Sequence, residues 1–116
     1  MKISEMQQKA YQCSKDHGFH DDKENEHVGL KLMLIVSEVS EALEDFRDAK
    51  SLAKMVESKY EETKYGMKPV GFISEIADVI IRCGDLAGML GFDLEKAVEE
   101  KMSFNLSRPF KHGRNC

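Results

Sequence analysis

Tryptophan is absent from the 116 residues, proline occurs twice, glycine eight times and cysteine three times. With so few breakers in a chain that is 41 % apolar and 33 % charged, helices in a globular fold are expected rather than disorder. Cys13, Cys83 and Cys116 are odd in number, far apart and without C-x-x-C spacing. That argues against a disulfide scaffold or a zinc ribbon and makes a reducing cytoplasm the expected compartment. No apolar run approaches the roughly 18 residues needed to cross a bilayer. Met1-Lys2-Ile3-Ser4-Glu5 is too polar for a signal peptide. A formal charge of −4 provides no general attraction to nucleic acid or to an anionic membrane. There is no Walker-type glycine-rich loop, no H-E-x-x-H and no G-x-S-x-G. The length suits a single domain, residues 1–116, and is too short for a two-domain enzyme.

What the chain does have is charge in blocks. Asp16, Asp21, Asp22, Glu24 and Glu26 crowd one stretch, and Glu38, Glu41, Glu44, Asp45 and Asp48 a second. From Lys101 onward come Lys101, Arg108, Lys111 and Arg114 with no acid among them.

The periodicity predicts an all-α, four-helix bundle-like fold. A first helix runs from about Ser4, a residue able to cap it, to Asp16, with Gly18 as its stop. A polar loop at 17–26 follows, and its histidines, with His27, are expected to be solvated. The second helix runs from near Glu26 to Asp48, with a weaker helical pattern continuing over 49–60. Residues 61–69 read as a connector, and no segment shows the two-residue alternation of a strand. The third helix is expected from Val70 to Leu90 with Gly91 as its stop, and a fourth, capped by Asp93, from Leu94 to Leu106.

Angular position on the two long helices carries the functional argument. With Glu75 at zero and ~100° per residue, Asp78 falls at ~300°, Asp85 at ~280° and Arg82 at ~340°. Phe72, Ile73, Ile76, Val79, Ile80, Cys83, Ala87 and Leu90 fill roughly 40° to 160°, and Ala77, Ile81, Gly84 and Gly88 roughly 180° to 240°. A helix apolar or small nearly all round belongs inside a bundle. The Gly84–Gly88 pair marks a close helix contact, within the chain or across a subunit interface. On the second helix, with Glu38 at zero, Glu41 falls at ~300°, Asp45 at ~340° and Asp48 at ~280°.

Ionised carboxylates at an apolar boundary lose hydration, and four together repel one another. They are tolerated if protonated, if paired with a cationic side chain, or if they bind a metal ion. Glu38-x-x-Glu41 and Glu75-x-x-Asp78 each lie on one helix face. On neighbouring helices they form an all-oxygen set that suits Mg²⁺, or Mn²⁺ in its place, and not zinc. Arg82, one turn after Asp78, is either an intrahelical ion-pair partner or a cation for a substrate.

Ser37-Glu38-Val39-Ser40-Glu41-Ala42-Leu43-Glu44, followed by Ser74-Glu75-Ile76-Ala77-Asp78-Val79-Ile80, resembles the MazG-type nucleotide pyrophosphohydrolase family. The ending Glu100-Lys101-Met102-Ser103-Phe104-Asn105-Leu106-Ser107-Arg108-Pro109 is similar to that family's ending. The three blocks stand in the family's order across residues 28–113. Ser37 departs from the family pattern, where a glutamate often stands. The resemblance implies a fold whose core and sites are completed by dimerisation or by pairing of dimers. It implies Mg²⁺-dependent cleavage of a nucleoside triphosphate to the monophosphate and pyrophosphate. It places the metal on Glu38, Glu41, Glu75 and Asp78, and Lys101, Asn105 and Arg108 on the nucleotide. Glu41 is the candidate general base. Two alternatives stay open: a phosphoribosyl-nucleotide pyrophosphohydrolase of the same superfamily, and a non-catalytic dimeric helical module. Phe19, Phe46 and Tyr60 are candidates for stacking on a base, with core packing the favoured reading for Phe46.

Overall fold

The structure, a computed structural model, describes residues 1–23 and 27–109. The predicted helix start near Glu26, the acids Glu24 and Glu26, the tail cations Lys111 and Arg114, and Cys116 lie outside the described residues. The chain is largely α-helical. In order it forms α1 (Ile3–Asp16), α2 (Val28–Asp48), a one-turn α3 (Leu52–Met55), β1 (Lys59–Thr63), β2 (Gly66–Val70), α4 (Phe72–Leu90) and α5 (Leu94–Leu106). No helix among the described residues is long and apolar enough to cross a membrane. Cys13 and Cys83 are free thiols.

Helix boundaries follow local chemistry at most ends. Gly91 closes α4 in the left-handed region at φ 73°, a conformation glycine adopts without a Cβ clash. The Asp93 carboxylate accepts the Lys96 N–H at 3.0 Å and starts α5. Ser4 is not the cap of α1. Lys2 occupies that position without a side-chain cap, and the Ser4 N–H donates instead to Glu95 on α5 at 3.2 Å. A tertiary contact thus replaces the local one.

Residues 59–70 correct the sequence reading. Instead of a weak helix and a connector they form an antiparallel hairpin, with Lys59 opposite Val70 and Thr63 opposite Gly66. Thr63 Oγ1 donates to the Gly66 carbonyl at 2.7 Å and accepts the Tyr65 N–H at 3.2 Å, holding the turn. Both faces of the hairpin are largely exposed. With no buried face there is no reason for apolar and polar residues to alternate, which is why periodicity is silent here. Gly71, at φ 99°, then turns the chain into α4.

α4 lies at the centre, packed on α1 along one side and α2 along another. The close contact foreseen at Gly84 and Gly88 is made within the chain, against α1, and not across a subunit interface. A Cβ on Gly88 would sit 2.5 Å from Tyr11 Cβ, and one on Gly84 2.5 Å from the Met6 sulfur. The two positions differ in what must yield. Tyr11 Cβ is fixed to the α1 backbone, whereas the Met6 thioether can swing aside. Gly88→Ala is expected to destabilise the protein by about 1–3 kcal/mol through overpacking, more than the ~1 kcal/mol gained in helix propensity. Gly84→Ala should melt close to the parent. Thermal melts of the two variants, compared with the parent, check this.

α4 is central but not enclosed. Ile73, Ile76, Ile80 and Ile81 remain exposed, and the buried apolar residues are only Ala42, Leu86 and Ala87 among those described. On α2, Leu32, Val36, Val39, Leu43 and Phe46 are all exposed. Their alternating spacing of four and three sets them along one stripe of the helix. The radius of gyration is 16.6 Å, against roughly 13 Å for a compact chain of this length. The accessible surface is 9212 Å², against roughly 6,400 Å² for a globular monomer of this mass.

Candidate functional site

α2 and α4 run antiparallel, so the Glu38-x-x-Glu41 and Glu75-x-x-Asp78 turns meet. Glu38, Glu41 and Glu75 each bring a carboxylate oxygen to one point, all within 4.8 Å of one another. Glu38 is buried, Glu75 half-buried and Glu41 exposed. The group therefore opens to solvent on the Glu41 side. Asp78 is exposed and stands one turn along α4. Its carboxylate is not part of the triad, but it feels the charges of Glu38 and Glu41.

Arg82 corrects the intrahelical reading. Its Nε donates to Glu38 Oε1 at 2.7 Å, across the α2–α4 interface. Burial alone would raise Glu38. The Arg82 hydrogen bond and charge, helped by the close approach of the Glu75 and Glu41 carboxyl groups, outweigh it and hold Glu38 below its ordinary value. Glu75 goes the other way. Burial first, then the close approach of the Glu41 and Glu38 carboxyl groups and the charges of Glu41 and Asp78, push it up to about 7. Asp78, exposed as a residue, is raised by partial desolvation of its carboxyl and then by the charge of Glu38. One carboxyl of the group thus holds a proton near neutrality, as like charges in a confined space require.

The buried Glu75 Oε2 has no hydrogen-bond partner. An orphaned buried oxygen beside two further carboxylates is a fit for a hard divalent cation, since the donors are all oxygen. Glu38, Glu41 and Glu75 are the residues that would hold it, with Asp78 one turn away.

Proton competition sets a testable pH dependence for the metal-free protein. The folded pKa of Glu75 exceeds the ordinary 4.5. Its stabilising contribution is therefore complete below 4.5 and is lost as pH rises through about 7. Glu38, held low, contributes in the opposite sense, with stability lost only as pH falls below the ordinary carboxylate range. The metal-free melting temperature is expected to fall as pH is raised from about 4.5 to 7. Glu75→Gln, which mimics the protonated carboxyl, should flatten that fall, and a parent-like slope in this variant would show that another group is responsible.

Among the described residues, no hydrogen bond or ion pair joins Lys101, Asn105 or Arg108 to the acids within one chain. α5 packs on α1 through its first turn, where Gln7 Oε1 accepts the Leu94 N–H at 3.2 Å and Glu95 meets Ser4. Lys101 and Arg108 lie against the Phe104 ring, at 5.9 and 5.1 Å from its centre. Asn105 is half-buried on the same helix. Phe46 is exposed on the α2 seam rather than packed in a core, and Tyr60 lies on the hairpin, also exposed.

Sequence reasoning missed a second polar cluster. Asp85 Oδ1 is 2.8 Å from His20 Nε2, and Oδ2 accepts from Ser14 Oγ at 3.0 Å and lies 3.5 Å from Lys31 Nζ. His20, expected to be solvated, is instead buried, its side chain 6 % exposed, with Tyr11 edge-on to the ring at 5.0 Å. A signal was present. Lys31 precedes Glu38 by seven residues, and Asp85 follows Asp78 by seven, which returns each to nearly the same helix face.

Between α1, α2 and α4 lies a cleft of about 590 Å³, bordered by Glu38, Asp78 and Arg82 as well as by Ser14, Lys31 and Asp85. Comparison with models of known families, with curated proteins and with solved structures found no match.

Proposed function

We propose that the protein is a Mg²⁺-dependent nucleoside triphosphate pyrophosphohydrolase, converting a triphosphate and water to the monophosphate and pyrophosphate. The observation that carries this reading is the Glu38–Glu41–Glu75 oxygen cluster with its partnerless buried Oε2. The order of the acidic and basic blocks along the chain supports it.

Bound Mg²⁺ would neutralise phosphate oxygens and lower the pKa of a coordinated water. The residues of the chain do the rest. Glu38, Glu41 and Glu75 would hold the ion, with Asp78 one turn away. Glu41, on the solvent side, takes the proton of the attacking water. Arg82 is committed to Glu38 and positions that carboxylate, so its part in binding substrate is indirect.

The same reading includes a second copy of the chain. The Leu32–Phe46 seam of α2 and the open isoleucines of α4 cover each other's counterparts in a homodimer or a pair of dimers. Lys101, Asn105 and Arg108, not joined to the acids of their own chain, act on the triphosphate from this assembly. The carboxylates have no affinity for nucleic acid, and the partners are a nucleoside triphosphate and other copies of the chain in the cytoplasm.

Pyrophosphate release from ribo- and deoxyribonucleoside triphosphates, with Mg²⁺ and with EDTA, tests the activity. Metal-dependent release with monophosphate as co-product is the expected result. Including phosphoribosyl nucleotides in the panel separates the related activity. Silence across the panel, with no rise in melting temperature on adding Mg²⁺ or Mn²⁺, would favour the non-catalytic helical module.

A further inference from the structure

The hairpin brings a cation to the acidic cluster that neither long helix supplies. In an antiparallel pair, residues directly opposite each other share a face of the sheet. Lys59 with Val70, Glu61 with Lys68 and Thr63 with Gly66 therefore line one face. That face carries the hairpin's two half-buried residues, Thr63 and Val70. Lys59 reaches along it to Gly71, its Cδ 3.7 Å from where a Cβ would stand. β2 touches α4, and the link between them is short and constrained. Pro69 has a fixed φ. Gly71, at φ 99°, turns the chain so that its carbonyl accepts the Glu75 N–H at 3.0 Å. Lys68 is thus tethered close to the part of α4 that bears Glu75 and Asp78.

Two cations lower Asp78, Arg82 first and then Lys68. They differ in what else they do. Arg82 is taken up by Glu38, at 2.7 Å. Lys68 is exposed, and among the described residues its side chain enters no ion pair, not even with Glu61 opposite. An arriving anion can therefore engage it without breaking a pair. Position decides which anion. Glu41 and Asp78, both exposed, mark the open side of the acidic cluster. A nucleoside triphosphate approaching from there brings its own negative charge to a group of carboxylates. A metal ion held by Glu38, Glu41 and Glu75 leaves the outer phosphates facing Asp78 unless a cation stands at that rim. Lys68 is the rim cation.

We propose that Lys68, carried on the hairpin, binds the terminal phosphates of the substrate triphosphate from the same chain as the acids and stabilises the pyrophosphate as it leaves. This rests on the pyrophosphohydrolase reading and names a further residue for it. In that reaction the water oxygen bonds to the α-phosphorus. The bond from that phosphorus to the bridging oxygen breaks, and its electron pair leaves with pyrophosphate. Glu41 takes the water proton, and Lys68 offsets the charge that builds on the leaving group. An ammonium is a compact charge with three rotatable donors, so it can follow phosphate oxygens from a flexible stem. A hydrogen bond from a charged group is worth about tenfold to a hundredfold.

The test is kcat/KM for ATP, CTP, GTP and UTP with the parent, Lys68→Gln and Lys64→Gln, together with the rise in melting temperature on adding Mg²⁺. K68Q is expected to lose about tenfold or more in kcat/KM on every triphosphate that the parent hydrolyses. K64Q, which removes the same charge from the exposed turn of the same hairpin, stays parent-like. The Mg²⁺ shift of K68Q stays at least as large as the parent's, because removing a cation from beside the acids does not weaken their attraction for a metal ion. A parent-like kcat/KM in K68Q overturns the proposal, as does an equal loss in K64Q. A K68Q protein that loses the Mg²⁺ shift along with the activity also overturns it, since the lysine then serves only to order the acids. If the parent hydrolyses none of the four, the activity reading falls, and Lys68 is decided separately by calorimetric titration with pyrophosphate in the presence of Mg²⁺. Binding by the parent that K68Q weakens about tenfold supports it. Equal binding by both, or none by the parent, overturns it.

Discussion

Glu41→Gln will lower Mg²⁺-dependent pyrophosphate release by about 10²–10⁴-fold, the range associated with a positioned general base. It will leave the metal-free melting temperature within the small range expected of an exposed substitution. Glu41 is the exposed member of the triad, so the amide replaces a carboxylate without disturbing packing. The same variant will lose most of the stabilisation that Mg²⁺ confers, which for an intact site is about 2.7 kcal/mol at a hundredfold excess over the dissociation constant. The other acids give less clean tests. On the proposed mechanism Glu38→Gln is expected to remove activity but also to weaken the hold on Arg82, whose Nε Glu38 accepts at 2.7 Å, so a loss of stability is expected with it. On the same mechanism Asp78→Asn is expected to remove activity with the fold retained. An E41Q protein with parent activity would remove Glu41 from the chemistry, and a parent-like Mg²⁺ shift in that variant would remove it from the metal.

In the proposed homodimer, Val39→Asp is expected to convert the assembly to monomer and lower the melting temperature by about ten degrees or more. Val39 is 50 % exposed in the single chain, in the middle of the Leu32–Phe46 seam. If the seam is covered by a second copy, Val39 is buried there. Burying such a side chain is worth about 1.5–3 kcal/mol, and 1 kcal/mol shifts the melting temperature by roughly 4–8 °C in a domain of about this size. A carboxylate in its place must also be desolvated. Among the described residues the buried apolar ones are only Ala42, Leu86 and Ala87, so burial of the seam would enlarge a small core. Sedimentation of the parent and V39D checks the prediction, with Val39→Leu as a control that keeps the seam apolar. A monomeric parent of high stability would show that the open seam is not an interface.

The acidic site was legible from spacing because a helix is a fixed ruler. Three residues along, a side chain returns to the same face, so Glu38 with Glu41 and Glu75 with Asp78 could be paired from the sequence without knowing the fold. The ends of α4 and α5 were legible for a similarly local reason: Gly91 and Asp93 act on their own backbone. Residues 59–70 were not, because a hairpin exposed on both faces carries no alternation, and its register depends on the turn at Thr63–Gly66.

The sequence by itself determined which side chains share a helix face: the two carboxylate pairs on one side of α2 and α4, and the apolar seam on the other side of α2. Only the tertiary structure decided which faces meet. It sent Arg82 across to Glu38 instead of back to Asp78, buried His20 beside Asp85, and placed α1 against Gly84 and Gly88. Spacing along a helix depends on backbone geometry common to every sequence. The choice among partners depends on how three helices exclude water together, a property of the whole chain that no single segment contains.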